Sequence, residues 1–458
     1  MTRPRCLALA PTAASLVSAL ALASAAHAAP PSAPPTKLLK GPYVTSFSDT
    51  TADIRFELDA PGPAALEVVR TGAGAPPRKI VDAAATANHV VHVTGLEAAK
   101  SYAYAVLIGT QFVGRGDVTA APPPNGGASI KFIVYGDDRS DPTAHEAIVR
   151  NILAAPSQFL VNTGDVVEDG GSASDWQSFF SIEAPLLRER PLFLCIGNHE
   201  LSDDEAGASF ARYFGFPDAS GAMKPYGTAR LGPARFFFLN GMHDWGSGEE
   251  RAWLDRELTR AETEAGLLWR IAVVHQSPWS SGPHGPSKRL VDAHIPELLA
   301  AHKVDLLLAG HDHIYERGDS GTMKYVISGG GGAPLYRITH PTAMTRKAEA
   351  AYHYVEVTVS QFDVRTVAHR LDGSILDKCG FLRGQPWDCD AVGPAPGAGP
   401  AGSVPAAPAA QPAGAPPGSS TRCSVASPGL APRAEGGLGP VALGVAGAVA
   451  LSRRRRRR

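Results

Sequence analysis

The chain has 458 residues, with 43 Lys and Arg against 44 Asp and Glu, so its formal net charge is −1. This length is enough for two domains plus tails, taking about 150 residues per domain as a guide. Six of the basic residues form the C-terminal run Arg453–Arg458, and no comparable cluster lies between residues 130 and 390. The charge pattern therefore argues against a nucleic-acid-binding surface.

The first 28 residues have the pattern of an export signal. Arg3 and Arg5 precede an apolar stretch, 7–26, and AHA (26–28) supplies small residues at a cleavage position. We predict a signal peptide over 1–28 and an exported protein, either secreted or held at the cell surface or outer envelope. A retained membrane anchor is the alternative.

Residues 37–122 are predicted to be all-β. Short runs rich in β-branched and aromatic residues are separated by Gly and Pro turns, a spacing typical of a β-sandwich. The runs are TADIRFEL, AALEVVR, HVVHVTGL, SYAYAVLI and FVGRGDVTA. A PPPNGG segment (122–127) then links this region to the next.

Residues 130–390 alternate strand-like runs with helical segments, which predicts a mixed α/β (α+β) region. Helices are expected over 143–155, 248–262 and 291–303, where apolar residues recur at helical spacing. The dipeptide Asp141-Pro142 provides an N-cap and a first-turn proline for the first helix.

Five polar motifs follow five apolar runs in this region. The carboxyl ends of strands in an open α/β sheet face a common crevice, where ligands bind. The motifs therefore deliver Asp, Asn and His side chains to one rim, and such oxygen and imidazole donors suit a pair of metal ions. In chain order the motifs are YGDDR (135–139), TGDVVEDG (163–170), GNHE (197–200), VVHQSP (273–278) and GHDH (310–313).

These motifs, in this order, resemble those of the calcineurin-like metallophosphoesterases, in particular the branch of purple acid phosphatases. The resemblance spans residues 131–370 and implies two facing mixed sheets flanked by helices, a four-layer αββα sandwich. The segments KGPYV, VTGLEAAKSYAYAV and TAAP also resemble the separate fibronectin-III-like domain that precedes such catalytic domains. The implied cofactor is two metal ions, Fe, Mn or Zn, and the implied reaction is attack of a metal-bound hydroxide on a small phosphate ester.

The resemblance also implies which residues hold the metals. One metal would be bound by one carboxylate and one imidazole, the other by an amide and two imidazoles, and a second carboxylate would bridge them. The first pair is Asp137 and His313, the second set is Asn198, His275 and His311, and the bridging residue is Asp165.

Further residues are assigned to the substrate. By resemblance, His199 contacts the phosphate or protonates the leaving oxygen, a role suited to imidazole. Arg139 stands where many family members have a metal-binding His, and its guanidinium could clamp a phosphate oxygen. His284 lies in the loop where purple acid phosphatases place another substrate-binding His. Asp312 is a candidate for a residue that supports the metal ligands by hydrogen bonding without binding a metal itself.

Glu168 marks a departure from the purple acid phosphatases. They have at this position a Tyr whose phenolate binds ferric iron and gives the colour. The first metal would then have three protein ligands plus water, or Glu168 as a fourth ligand. We predict that the protein is not purple.

Two other features leave alternatives open. The glycine run in SGGGGAP (328–334) is either a turn that needs positive φ or a close approach of the backbone to the rim. Cys379 and Cys389, ten residues apart, are predicted to form a disulfide, with free thiols as the alternative. Cys195 is predicted to be a plain core residue.

The C-terminal part has two sections. Residues 391–421 are almost entirely Pro, Ala, Gly and Ser and are predicted to be a tether without a core. Residues 422–458 contain Cys423, a short apolar run and the arginine cluster, which resembles the C-terminal sorting tails of myxobacterial proteins. This resemblance implies envelope sorting machinery as a partner, and a short membrane anchor is the alternative.

The leading interpretation is an exported phosphatase that hydrolyses phosphate monoesters, of the acid-phosphatase type. A phosphodiesterase or nucleotidase is the alternative within the same class. A surface binding module with an idle site is a third possibility, since the first metal site departs from both family patterns.

Overall fold

The structure, a computed structural model, describes residues 36–243, 245 and 248–390. The predicted signal peptide, the Pro/Ala/Gly-rich tether and the C-terminal tail lie outside the described residues.

Five antiparallel strands build the N-terminal region: β1 (Leu38–Phe47), β2 (Thr51–Arg70), β3 (Arg78–Thr94), β4 (Ser101–Ile108) and β5 (Gln111–Thr119). They hydrogen-bond into one sheet. The first half of β2 pairs with β1 and its second half pairs with β4. β3 pairs with both halves, and the register between β2 and β3 shifts around Gly62. These strands agree with the all-β expectation, and the fibronectin III type stays a prediction.

The region from residue 130 to residue 390 contains two larger sheets. One has six strands in the order β20-β19-β18-β6-β7-β8, and the other has seven in the order β11-β12-β13-β14-β16-β15-β17. The first comprises β6 (Ile130–Tyr135), β7 (Phe159–Asn162), β8 (Leu192–Leu194), β18 (His353–Val359), β19 (Asp363–Arg370) and β20 (Ile375–Leu382). The second comprises β11 (Gly227–Leu231), β12 (Ala234–Leu239), β13 (Trp269–Gln276), β14 (Leu306–Gly310), β15 (Tyr315–Asp319), β16 (Lys324–Ser328) and β17 (Thr345–Glu349).

A two-stranded ribbon and six helices complete the described fold. The ribbon pairs β9 (Phe216–Pro217) with β10 (Met223–Lys224). The helices are α1 (Pro142–Ala154), α2 (Ala173–Leu187), α3 (Ala208–Phe214), α4 (Glu249–Glu262), α5 (Lys288–Asp292) and α6 (Ile295–Ala301).

Side-chain alternation along the central strands produces four layers. Phe132 of β6 and Phe236 of β12 belong to the core between the two large sheets. Ile133, the next residue of β6, packs with α1, α2 and α3 on the outer face of the first sheet. Phe237, the next residue of β12, packs with α4, α5 and α6 on the outer face of the second. Strands buried on both faces are typical of such layered folds, and the predicted αββα sandwich is confirmed.

The helix termini show which local expectations hold. The side chain of Asp141 accepts hydrogen bonds from the backbone of Thr143 and Ala144, so the predicted N-cap of α1 is confirmed. The single helix expected over 291–303 is wrong, because α5 and α6 are separated at His294, which has a φ of 55°. Pro296 lies in the first turn of α6 and cannot continue an earlier helix, since its ring would clash with the preceding turn.

The N-terminal sheet packs directly on the region from residue 130 to residue 390, and both belong to one compact unit. The ring of Phe47 in β1 lies 5.8 Å from the rings of Phe159 and Phe193. Arg55 in β2 is 1% exposed. Its guanidinium donates hydrogen bonds across the boundary to the backbone carbonyls of Arg212, Tyr213 and Gly215.

The cysteine expectations are confirmed. Cys379 and Cys389 form a disulfide. Cys195 is a buried free thiol within the core between the large sheets.

Candidate metal centre

The predicted metal ligands all lie where strands of the two large sheets end. β6, β7 and β8 are mutually parallel, as are β12, β13, β14 and β16, so the loops at their carboxyl ends meet at one rim. The ligands from the first sheet are Asp137 after β6, Asp165 after β7 and Asn198 after β8. Those from the second sheet are His275, the second-last residue of β13, and His311 and His313, which follow β14.

Three of these residues have an unusual backbone conformation. Asp137, Asp165 and His311 have φ values of 56°, 60° and 71°. Non-glycine residues adopt this left-handed region infrequently, and such strain concentrates at functional sites. The backbone is held there by hydrogen bonds, including one from the His311 N–H to the Asp137 carboxylate at 2.9 Å. The conformation turns the carboxylates and the imidazole toward the rim.

The glycines of the motifs allow the ligands to approach one another. A Cβ at Gly197 would lie 2.2 Å from Oδ1 of Asp165, and a Cβ at Gly310 would lie 2.4 Å from Oδ2 of Asp137. Either side chain would displace a predicted metal ligand. Gly197 and Gly310 are therefore required by space at the centre.

His275 is oriented by the backbone behind it. Its Nδ1 donates a hydrogen bond to the carbonyl oxygen of Thr163 at 2.8 Å. This bond leaves Nε2 facing Asp165 Oδ2 at 3.3 Å and His311 Nδ1 at 3.2 Å. Asp165, His275 and His311 each offer one ligand atom, and the three atoms lie within 4.8 Å of one another. A carbonyl that fixes the imidazole tautomer in this way is a common support for a metal ligand.

Asn198 supplies the clearest sign that the centre fits a cation. Its Oδ1 atom is buried and has no hydrogen-bond partner among the described residues. A buried acceptor without a partner costs free energy, so such atoms in native proteins call for an explanation. An amide oxygen beside two imidazoles and a carboxylate is explained as a metal ligand.

The other half of the centre contains Asp137 and His313. His313 donates from Nδ1 to the carbonyl of Pro334 at 2.7 Å and stacks on the ring of Tyr336 at 4.0 Å. Its Nε2 lies 3.7 Å from Oδ1 of Asp137. The structure therefore groups Asp165 with His275 and His311 and pairs Asp137 with His313, while Asn198 follows β8 at the same rim.

The charges of the centre are strongly coupled. Burial raises the pKa of Asp137 well above its usual value, and the Asp165 carboxylate adds to the rise. Burial would also raise the pKa of Asp165, but the charge and hydrogen bond of His275 outweigh it and lower that pKa. Although burial lowers the pKa of His275, Asp165 raises it to about 10. Burial, followed by the charge of His275, lowers the pKa of His311. Metal binding requires neutral imidazole, so a ligand that is protonated must release its proton when the metal binds.

His199 lies at the rim rather than in the ligand cluster. Its backbone N–H donates to Oδ1 of Asp165 at 2.9 Å, and its Nδ1 donates to the carbonyl of Glu168 at 2.7 Å. The Nε2 atom is 4.0 Å from Oδ2 of Asp165, and the side chain is 23% exposed. A ring with one nitrogen anchored and the other open to the rim can hold or transfer a proton there.

Arg139 and Glu168 form an ion pair at the same rim. Nη1 of Arg139 donates to Oε2 of Glu168 at 2.9 Å, and Ser140 Oγ donates to the same oxygen at 2.5 Å. Glu168 is 55% exposed. Its carboxylate is thus engaged by Arg139 and Ser140. The contacts of Glu168 give no support to its alternative role as a fourth metal ligand.

His284 and Asp312 lie next to His311. The His284 ring is exposed and lies 4.3 Å from the His311 ring. The carboxylate of Asp312 accepts hydrogen bonds from the His284 backbone N–H at 3.1 Å and from Ser280 Oγ at 2.5 Å. Asp312 therefore anchors the loop that carries His284.

Glu200 is a site residue that the sequence reasoning did not assign. It is fully buried, and its carboxylate accepts three backbone hydrogen bonds that join the loops after β7 and β8. Burial raises its pKa to about 7, and the nearby Asp165 carboxylate contributes. Its place directly after the GNH motif was the available signal. The three donors are the N–H groups of Asp165 (3.0 Å), Val166 (2.7 Å) and Gly197 (2.6 Å).

The glycine run at 329–332 is explained by close packing. A Cβ at Gly329 would lie 2.3 Å from the Asp312 carbonyl oxygen, and one at Gly331 would lie 2.6 Å from the Gly136 carbonyl oxygen. None of the four glycines has a positive φ. The explanation as a positive-φ turn is wrong, and the run instead lets the backbone pass directly behind Asp137.

A second buried polar cluster lies behind the centre and was not expected from the sequence. His145 Nε2 lies 2.8 Å from Oε1 of Glu183 and 3.1 Å from Oδ2 of Asp138, the residue after Asp137. Asn162 donates to the other oxygen of Asp138 at 2.9 Å, and Tyr135 donates to Glu183 at 3.0 Å. The two neighbouring carboxylates raise the pKa of His145 against the opposing effect of burial. His145 is therefore a buried partner of two acids.

Comparison with known proteins identifies the region that carries the centre. Residues 131–315 match the family model of the calcineurin-like phosphoesterases. This region is a calcineurin-like phosphoesterase domain. The match includes five of the predicted metal motifs and ends two residues after His313.

Relatives in other organisms are purple acid phosphatases and an uncharacterised protein. Over 294 residues, covering 57% of this chain and 85% of the relative, the chain is 26% identical to purple acid phosphatase 4 of Arabidopsis thaliana. It is 25% identical over 274 residues to an uncharacterised protein of Mycobacterium tuberculosis, and the match covers half of each chain. The chain is thus similar to purple acid phosphatases across more than the matched domain.

Solved structures support the fold. A purple acid phosphatase from yellow lupin seeds has a TM-score of 0.65 with 17% identity, covering 75% of this chain and 74% of that one. A structure of PhoD has a TM-score of 0.55 with 10% identity, covering 74% and 89%. At these identities the likeness concerns the fold.

The phosphoesterase domain, its relatives and the residues at the rim together support a metal-dependent phosphoric ester hydrolase. Purple acid phosphatase-like metallophosphoesterases use a dinuclear metal centre, and the Asp, Asn and His donors fit such a cofactor. The predicted enzyme class and dinuclear cofactor are confirmed at this level, and the choice among Fe, Mn and Zn stays a prediction.

Proposed function

We propose that the phosphoesterase domain hydrolyses phosphate monoesters, with Asp137, Asp165, Asn198, His275, His311 and His313 holding two metals. Two observations carry this proposal: the ligand atoms of Asp165, His275 and His311 lie within 4.8 Å of one another, and the Oδ1 of Asn198 on the neighbouring loop is buried without a partner among the described residues. Two bound metals supply Lewis acidity at the phosphoryl oxygens and lower the pKa of water beside the phosphorus.

The rim residues act on the ester. With Nδ1 of His199 donating to the Glu168 carbonyl, Nε2 would carry a proton for the leaving oxygen in the imidazolium form of the ring. Arg139 offers a guanidinium next to Asp165, and such a group pairs well with phosphate oxygens. His284 lies next to His311. Cationic or hydrogen-bonding groups such as these suit a phosphate group.

A monoester is favoured over a diester by charge and by the relatives. A monoester presents one more charged oxygen than a diester, and Arg139 supplies a cation at the rim to receive it. The named relatives are acid phosphatases. A small phosphate ester is accordingly the proposed substrate class.

Export is proposed from the N-terminal sequence pattern at 1–28 and from the disulfide between Cys379 and Cys389, a bond that persists in oxidising compartments. None of the helices in the described part of the chain is long and apolar enough to cross a membrane. The domain boundaries 37–122 and 130–390, the tether at 391–421 and a sorting tail at 422–458 belong to the same proposal.

The test compares hydrolysis of p-nitrophenyl phosphate and bis(p-nitrophenyl) phosphate between pH 4.5 and 9 after loading with Mn, Fe or Zn. Chelator-treated protein and an Asp165→Asn variant are the controls. Faster, chelator-sensitive hydrolysis of the monoester supports the proposal. Preference for the diester would redirect it to a phosphodiesterase or nucleotidase. Absence of turnover with every metal would favour a surface binding module.

A further inference from the structure

Arg139 lies unusually close to the residues proposed to hold the first metal. Its Nε is buried, has no hydrogen-bond partner among the described residues, and lies 3.6 Å from Oδ2 of the proposed bridging residue, Asp165. The side chain is 12% exposed. The guanidinium therefore lies next to the carboxylate that the two metal positions would share.

The ion pair with Glu168 keeps Arg139 in this position. Glu168 accepts hydrogen bonds from Nη1 of Arg139 with both oxygens, at 2.9 and 3.2 Å, and Ser140 Oγ also receives one from Nη1 at 2.9 Å. The planar guanidinium is thereby fixed on one edge while Nε faces Asp165. A fixed arginine remains charged under all ordinary conditions, because its pKa is far above neutrality.

The two proposed metal positions differ in their protein ligands. The second has four protein donors: Asn198, His275, His311 and the shared Asp165. The first has three, Asp137, His313 and Asp165, and it has a fixed cation next to its shared carboxylate. Each missing ligand weakens binding, and a neighbouring cation adds repulsion that buried surroundings screen poorly.

We propose that Arg139 is a built-in competitor for the first metal, so that the second position binds its metal more tightly and the first metal is readily lost. This inference rests on the proposed ligand assignment. The guanidinium and the metal are both attracted to the carboxylate of Asp165, so each weakens the binding of the other. The unequal affinities follow from this chain's own residue at position 139.

The test measures metal binding directly in the full chain, stripped with chelator and titrated with Mn²⁺ or Zn²⁺. Isothermal titration calorimetry, with metal content after equilibrium dialysis, is applied to the unaltered protein and to Arg139→Met, which keeps an unbranched but shorter side chain and removes the charge. Arg139→Lys retains a cation at the same position. Arg289→Ala, at an exposed arginine of α5, makes the same change in net charge away from the centre. Arg139→Gln replaces Arg139→Met if circular dichroism shows that the latter does not fold.

Unaltered protein is expected to bind one metal at least tenfold more tightly than the other. Arg139→Met should reduce this gap tenfold or more, while Arg139→Lys and Arg289→Ala keep it. Two equal affinities in the unaltered protein, or an unchanged gap in Arg139→Met, would overturn the inference and leave the phosphoesterase proposal intact. Failure of the unaltered protein to bind any metal would overturn both, and unchanged binding in Asp165→Asn would overturn the ligand assignment.

Discussion

His275 Nδ1 lies 2.8 Å from the carbonyl oxygen of Thr163, and this hydrogen bond directs the opposite ring nitrogen toward Asp165. The orientation is set by the backbone of the first sheet, although His275 belongs to the second. The metal centre therefore depends on the register between the two sheets as well as on the ligands themselves.

Replacement of His275 by Ala should weaken metal binding by at least about 100-fold and abolish turnover, because it removes a ligand and the contact with Thr163. Metal content after dialysis and initial rates on p-nitrophenyl phosphate check this prediction. His294→Ala, at an exposed histidine between α5 and α6, is the control and should behave like the unaltered protein. Full metal retention in His275→Ala would remove His275 from the ligand set.

Replacement of His199 by Ala should separate chemistry from metal binding. Loss of a proton donor or acceptor in the transition state costs roughly 10²- to 10⁴-fold in rate. The proposed metal ligands are untouched, so metal content should stay that of the unaltered protein. Unchanged kcat, or loss of both metals, would show that His199 does not have the proposed role.

Glu200→Gln should lower the free energy of unfolding, because Glu200 joins the two loops that carry Asp165 and Asn198. The buried carboxylate accepts three backbone N–H groups, and a neutral amide cannot accept all three equally. A buried N–H left without an acceptor costs about 1–3 kcal/mol, so a loss of about 2 kcal/mol is expected in urea denaturation. Glu297→Gln, at an exposed position, provides the control. Equal stability of the two variants would contradict the proposed role of Glu200.

Acid should destabilise the protein through His353. Burial lowers the pKa of this histidine to about 4, whereas an unfolded chain has a value near 6.5. Above pH 6.5 both states are neutral and the full stability is present. As the pH falls from about 6.5 to 4, the unfolded state binds the proton first, and about 3 kcal/mol is lost. Urea denaturation at several pH values, with chelator throughout, measures the loss.

The matched variant is His353→Asn, whose side-chain amide can keep the hydrogen bond that His353 donates to the Ala351 carbonyl. Its stability should vary less between pH 6.5 and 4 than that of the unaltered protein. The same pH slope in both proteins would show that another group causes the loss.

Protein loaded with ferric iron should remain free of the purple colour. Glu168 stands at the position of the colour-giving tyrosine, and its carboxylate is bound to Arg139. Tyr336, which is close by, lies flat against the His313 ring at 4.0 Å. A visible phenolate-to-iron charge-transfer band in the absorption spectrum would contradict this prediction.

The ligand positions were predictable because they depend on local sequence and one general rule. Polar motifs such as YGDDR and GHDH follow apolar strands, and parallel strands bring their ends together. Other features depend on contacts between distant segments. His145 and Glu183 lie on α1 and α2, and only the packing of these helices places them both beside Asp138.

The glycine run shows a different limit of sequence reasoning. Four consecutive glycines are compatible with a turn or with close packing, and the choice depends on atoms from other loops. The carbonyl oxygens of Asp312 and Gly136 decide it in favour of packing. Likewise, the length of β2 could not be predicted, because its two strand-like runs continue through the Pro-containing segment between them.

The contacts of Arg55 and Phe47 have a consequence for how the protein unfolds. Removal of the N-terminal sheet would deprive the rings of Phe159 and Phe193 of their contact with Phe47 and leave three carbonyl oxygens without the Arg55 donor. The two regions should therefore melt together in a single cooperative transition. A phosphoesterase fragment that begins at residue 128 would be poorly soluble, even though every proposed metal ligand is retained in it.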